Sequence, residues 1–334
     1  MFPRFDFLPS SPVSHDAARP LKRLYQGLFL LAIFFSQPSC TTAPLTSNPS
    51  EASAERKHTA NYPIRYLLSF DDGPSIKEEF NPTLFILDHL AHNSLQPDIK
   101  AIFFVQTRAS NGGGTPQGRS IMQREYHEGH LLAFHTATQG HSSHRYLNPV
   151  LFEQSLRDGI QDLVSITGTR PALVRPPFWS YDERTLDVYT KQGLQMILTD
   201  LTAIDGKIGW PNFSLRRRSN LFHQLENLRP RIMNGQMPVV DGVVPIIVTF
   251  HDPNTYTARH MEEYLQILVD IANELGLPLA EKPFYDTRED IEQAALQRTI
   301  VDAKTIVAIP DFWTSLGQDL KQMISSQRAY STGK

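Results

Sequence analysis

The chain has 334 residues, 40% hydrophobic and 20% charged, with 19 Phe, 11 Tyr and 3 Trp; this supports a sizeable core and excludes a fully disordered or collagen-like polypeptide. A formal net charge of −3 argues against broad electrostatic capture of nucleic acid, so no nucleic-acid partner is expected. A single cysteine, Cys40, excludes an intramolecular disulfide, a zinc ribbon and a CxxC redox centre, which leaves any metal chemistry to His and Asp.

At about 150 residues per domain the length suggests two domains, fewer once a targeting segment is subtracted. Such a segment stands near the start: Arg19, Lys22 and Arg23 precede an apolar run, LYQGLFLLAIFF, from Leu24 to Phe35, followed by Gln, Pro, Ser and Thr. Basic, then apolar, then small and polar is the order of an export signal, and 12 residues are too few to span a bilayer comfortably as a helix. The alternative is a buried helix, but the polar, Pro/Ser-rich residues 41–60 offer it nothing to pack on and are expected to form a linker. Cys40 resembles a lipoprotein box only in the small residue before it, so membrane attachment is expected only through a lipid at that cysteine. The expected organisation is an export signal over 1–40, the linker over 41–60, one domain over 61–280 and an extension over 281–334.

From Asn61 onward short apolar runs alternate with amphipathic stretches: RYLLSF, PTLFILDHLAHN, IKAIFFVQ, SIMQREYHEG and LLAF. The pattern continues through the periodic stretch Pro149 to Thr167, the strand-like ALVRPPF, the helix TLDVYTKQG, the strands QMILTDL and PIIVTF, and the helix HMEEYLQILVDIANELG. This alternation predicts an α/β fold.

Chemistry-bearing residues gather at the ends of the apolar runs. Asp71-Asp72-Gly73-Pro74 closes the first; it suits a turn, or one carboxylate holds a metal while its neighbour stays available as a base. His135, His141 and His144 follow LLAF. Histidines can collect in a surface loop without function, but two imidazoles and a carboxylate are also a usual zinc set with open positions. His135 and His141 are separated by about 600° of helical rotation and cannot share a helix face, so they need a loop; His141 and His144 are the rival pair. Arg175 stands before two prolines, on stiff backbone suited to orienting a carboxylate. His251 ends PIIVTF and suits either a satisfied core histidine or a general acid.

In order and content these segments resemble the NodB-type polysaccharide deacetylases, carbohydrate esterase family four. SFDDGP at Ser69 to Pro74, His135 to His141, Arg175 to Phe178, Asp205 in TDLTAIDG, and Phe250-His251-Asp252 stand where that family carries its five motifs. The resemblance implies an irregular, incomplete (β/α) barrel acting on an acetylated polysaccharide with a divalent ion, zinc first; the export signal predicts a periplasmic, cell-envelope or secreted location. The resemblance also implies that Asp71 is the catalytic base, that Asp72, His135 and His141 hold the metal, and that Arg175 orients Asp71. It implies further that His251 protonates the leaving amine, that Asp205 keeps His251 charged, and that the backbone N–H near Phe178 stabilises the oxyanion.

The chain departs from the family in three places. Its histidines are six apart where the family has four, Gly206 stands where a Trp is expected, and Phe178 replaces the common Tyr. The first two motivate a second reading, a carbohydrate-binding protein that has lost turnover. Trp179, Tyr181 and Trp210 could stack on sugar rings or be core, and Arg216, Arg217 and Arg218 suit a solvated face better than a substrate clamp.

Overall fold

The computed structural model describes residues 62–206 and 216–302. The export segment, the linker, Cys40 and Trp210 lie outside them. Among the described residues no helix is long and apolar enough to cross a membrane.

The first strand, β1 (Ile64–Asp71), is buried along nearly its whole length, as a parallel strand covered on both faces must be. In chain order there follow α1 (Pro82–Ala91), β2 (Ala101–Gln106), α2 (Pro116–His127), β3 (Leu131–Thr136), α3 (Pro149–Thr167), β4 (Leu173–Val174), α4 (Glu183–Lys191), β5 (Gln195–Met196) and β6 (Leu201–Thr202). After them come α5 (Arg217–Met233), β7 (Val244–His251), α6 (Thr255–Arg259), α7 (Met261–Glu274), β8 (Leu279–Phe284) and α8 (Arg288–Leu296). Helices α1, α2 and α3 start alike: Asn81, Thr115 or Asn148 accepts a hydrogen bond from a first-turn N–H, and proline occupies the first turn, where its missing donor costs nothing. Gly159 lets α3 lie against β3, since a Cβ there would fall 2.0 Å from the Phe134 ring.

The strands form one parallel sheet in the order β5–β4–β3–β2–β1–β7–β6, with β8 also paired to β1. Its edge strands β5 and β6 are separated by only Ile197 to Asp200 in the chain. The five Cα–Cα steps from Met196 to Leu201 reach at most about 18 Å, so the sheet curls until its edges face each other, giving the irregular, incomplete barrel. The stretch QMILTDL, expected as one strand, is therefore two. Its middle leaves the ladder because the carbonyls of Ile197 and Leu198 accept from the Arg175 guanidinium, while Asp200 N–H bonds to the Ile247 carbonyl on β7.

Strand alternation divides the core. Tyr66, Leu68 and Phe70 face outward under the helices with Phe103 and Phe250. Leu67, Ile102, Phe104, Ala133, Leu173, Ile197 and Ile247 fill the barrel interior together with Tyr285 and with Ile291, Ala294 and Ala295 of α8. Residues beyond 280 thus contribute to the core, and 280 itself falls inside β8.

The same alternation carries Leu67, Ser69 and Asp71 up the inner wall. β1 and β7 run in register from Ile64 opposite Val244 to Asp71 opposite His251, and Phe134 of β3 lies opposite Val174 of β4. Asp71, His251, His135 and Arg175 therefore reach one rim, the carboxyl ends of the strands, where such barrels place reacting groups.

Candidate active site and metal centre

Arg175 crosses the interior beneath this rim. It is fully buried and donates from Nη1 to Asp71 Oδ1 (2.7 Å) and Ser69 Oγ (2.8 Å) and from Nη2 to the Leu198 carbonyl (2.9 Å). Its guanidinium lies 4.1 Å above the Phe104 ring. Burial pulls its pKa down, and the Asp71 carboxylate partly restores it. The other Asp71 oxygen, Oδ2, accepts from the indole Nε1 of Trp179 at 3.3 Å.

Asp72, one residue on, has left-handed backbone (φ 73°), a conformation that costs a non-glycine residue about 1–2 kcal/mol. The turn separates the two neighbouring carboxylates. Asp72 Oδ1 lies 3.1 Å from His135 Nε2 and 3.2 Å from His141 Nε2, and the two ring nitrogens are 3.1 Å apart. His135 Nδ1 donates to the Arg175 carbonyl (2.7 Å), leaving its Nε2 lone pair directed at the group. Burial opposes ionisation of Asp72, but the hydrogen bond and charge of His135, with His251 and His141 beyond, hold its carboxyl far below the usual range. Burial likewise pushes His141 down to about 4, which keeps it a neutral ligand.

These three atoms form a near-equilateral triangle. Ligands about 2.0–2.1 Å from a divalent ion stand about 2.9–3.4 Å apart for octahedral to tetrahedral angles, so the triangle fits one face of such a site. Among the described residues these three alone form a group able to hold a metal ion.

The two extra residues between the histidines are taken up by a turn in which Thr138 Oγ1 bonds to the Gly140 carbonyl and accepts from Ser142 N–H. The rival, His144, is buried elsewhere: its Nδ1 pairs with the Tyr189 hydroxyl at 2.7 Å, and its ring lies parallel to that of Phe134.

His251 is held from behind. Its Nδ1–H donates to Asp205 Oδ1 (2.8 Å), and Asp205 Oδ2 accepts from the His251 backbone N–H (3.1 Å) and from Thr257 Oγ1 (2.5 Å). Nε2 faces the rim, 4.0 Å from Asp72 Oδ2. Burial lowers the affinity of this imidazole for a proton, but Asp205 outweighs it, with Asp72 and Asp71 adding, and its pKa rises to about 9. Gly206 leaves room for the ring: a Cβ there would lie 3.0 Å from His251 Cε1.

Phe178, with φ 59°, is 64% exposed, and its ring covers His141 at 4.3 Å. The residues to which the resemblance gives a role, Asp71, Asp72, His135, His141, Arg175, Phe178, Asp205 and His251, thus gather at one rim. Sequence reasoning missed Gln106, whose side chain donates to Asp72 Oδ1 at 3.1 Å, although it ends the apolar run IKAIFFVQ as the other site residues end theirs. It also missed the inward turn of Trp179. Tyr181 packs against the hydrophobic core. Arg217 and Arg218 pair with Glu263 and Glu274, tying α5 to α7.

Residues 61–197 match the family model for polysaccharide deacetylase. The chain is 30% identical over 175 residues to chitin deacetylase 2 of Saccharomyces cerevisiae, covering 51% of this chain and 49% of that protein. To a chitin deacetylase of a Pestalotiopsis species it is 27% identical over 168 residues, covering 50% and 52%. The chain thus spans about half the length of these curated relatives. The solved chitin deacetylase of Colletotrichum lindemuthianum is 22% identical, with a TM-score of 0.48, covering 74% of this chain and 95% of that one. The family match stops at 197, before Asp205 and His251; the pairing of β7 with β1 sets His251 opposite Asp71 and so brings these two to the same rim.

Proposed function

We propose that the chain hydrolyses acetyl groups from an acetylated polysaccharide, an N-acetylglucosamine polymer first, releasing acetate. The observation that carries this reading is the convergence of a braced carboxylate, a metal-type triad and a carboxylate-backed imidazole on one rim, in a domain whose relatives include chitin deacetylases.

A divalent cation, zinc by ligand preference, held by Asp72, His135 and His141 would polarise the acetyl carbonyl and acidify a water. Asp71, oriented by Arg175, accepts the proton of the attacking water. The Phe178 backbone N–H donates to the oxygen on which negative charge develops. His251 gives its Nε2 proton to the departing nitrogen; Asp205 favours that protonated form by holding Nδ1–H. The basic-then-apolar run from Arg19 to Phe35 supports an exported, envelope or secreted location.

The test is the appearance of free amines on N-acetylglucosamine oligomers incubated with the purified protein and zinc. Amine formation with wild type and none with Asp71→Asn supports the reading. Oligomer binding with no amine formed, in folded metal-loaded protein, would replace it with the binding-protein reading.

A further inference from the structure

Phe178 and Trp179 are consecutive non-glycine residues with positive φ, 59° and 54°. Such strain persists only where the surroundings over-determine it, and here it sends two adjacent rings opposite ways. Phe178 turns outward over His141, whereas Trp179 is half-buried and directs its indole N–H at Asp71 Oδ2. Arg175 reaches only Asp71 Oδ1. One donor on one oxygen leaves the carboxylate free to rotate about its last bond; a second donor on the other oxygen fixes its plane.

We propose that Trp179 is a positioning residue: its indole N–H clamps the second oxygen of Asp71, so that Arg175 and Trp179 together hold the carboxylate in a single orientation toward the attacking water. The inference rests on the reading of Asp71 as proton acceptor. It gives the aromatic side chain after Phe178 a role in turnover, distinct from the sugar-stacking role that an aromatic residue at a glycan site would otherwise suggest. The N···O separation of 3.3 Å is at the long end for such a bond, so its loss should lower turnover about tenfold without abolishing it.

The experiment replaces Trp179 by 3-benzothienylalanine, which keeps the bicyclic shape and lacks the N–H, beside Trp179→Phe and Asp71→Asn, with N-acetylglucosamine oligomers and zinc. The expected result is a kcat lower by about tenfold in the benzothienyl variant, with KM and zinc uptake within twofold of wild type. A sugar-stacking wall would instead raise KM or leave both constants unchanged, and either outcome overturns the proposal. Independently, the chain has three Trp and so three indole N–H resonances; the one lost in Trp179→Phe should shift in Asp71→Asn, and its failure to move overturns the contact itself. Wild-type turnover in Asp71→Asn would defeat the proton-acceptor reading instead, which separates the two failures.

Discussion

Replacing Arg175 by Met keeps most of the side-chain volume and removes the guanidinium from the barrel interior. Asp71, 1% exposed, then keeps the Trp179 N–H but loses its only charged donor, and the Leu198 carbonyl loses its 2.9 Å partner. Breaking one side of a buried ion pair costs about 3–5 kcal/mol, because the remaining charge stays desolvated. For a body of this size each kcal/mol lowers Tm by about 2–4 °C, so Arg175→Met should melt about 6–20 °C below wild type. Adding Asp71→Asn removes the stranded charge, and the double variant should recover at least half of the loss. Urea unfolding followed by circular dichroism, with chelator present so that metal binding does not contribute, measures both. A cost below about 1 kcal/mol, the range of an exposed pair, or a double variant no more stable than Arg175→Met, would refute the brace.

His141→Ala should abolish stoichiometric zinc uptake in titration calorimetry while His144→Ala retains it; the reverse would reassign the ligands. Restoring a side chain at Gly206 should harm turnover, since a Cβ would meet the His251 ring at 3.0 Å: Gly206→Ala is expected to lower kcat by tenfold or more, and wild-type kcat would show that the ring has room to move. His130 and His144 are both buried, with pKa pushed down to about 3 chiefly by that burial. The unfolded chain therefore binds more protons between about pH 3 and 6.5. Their contribution to stability is complete above pH 6.5 and lost as pH falls, by up to about 1.4 kcal/mol per pH unit for each histidine. Urea unfolding at pH 7 and pH 5 should show the loss, with a shallower slope in His144→Phe; equal stability at the two pH values would contradict it.

Much of the site was legible because the barrel places reacting groups at the ends of apolar runs, and DDGP, His135, Arg175 and His251 each end one. The preference for His141 over His144 rested on the family resemblance; what separates them physically is that His144 Nδ1 is taken by the buried Tyr189 hydroxyl, whereas His141 Nε2 faces Asp72. The division of QMILTDL was hidden because the break depends on Arg175, a residue some 20 positions earlier whose donors take the carbonyls of a stretch that looks like uninterrupted strand. β8 was missed because LAEKPF carries no apolar alternation and only Phe284 of its six residues is fully buried. The aim of Trp179 depends on two positive φ angles that no residue-type preference at Phe178 or Trp179 announces.

The most direct test of the central claim is acetate release from a panel of acetylated glycans, with zinc added or chelated, beside the Asp71→Asn variant. Hydrolysis at the rim built by Asp71, Asp72, His135, His141 and His251 predicts acetate from at least one N-acetylglucosamine polymer, lost on chelation and in the variant. Folded, zinc-loaded protein that releases no acetate from any glycan, or releases it equally with Asn at position 71, would contradict the account.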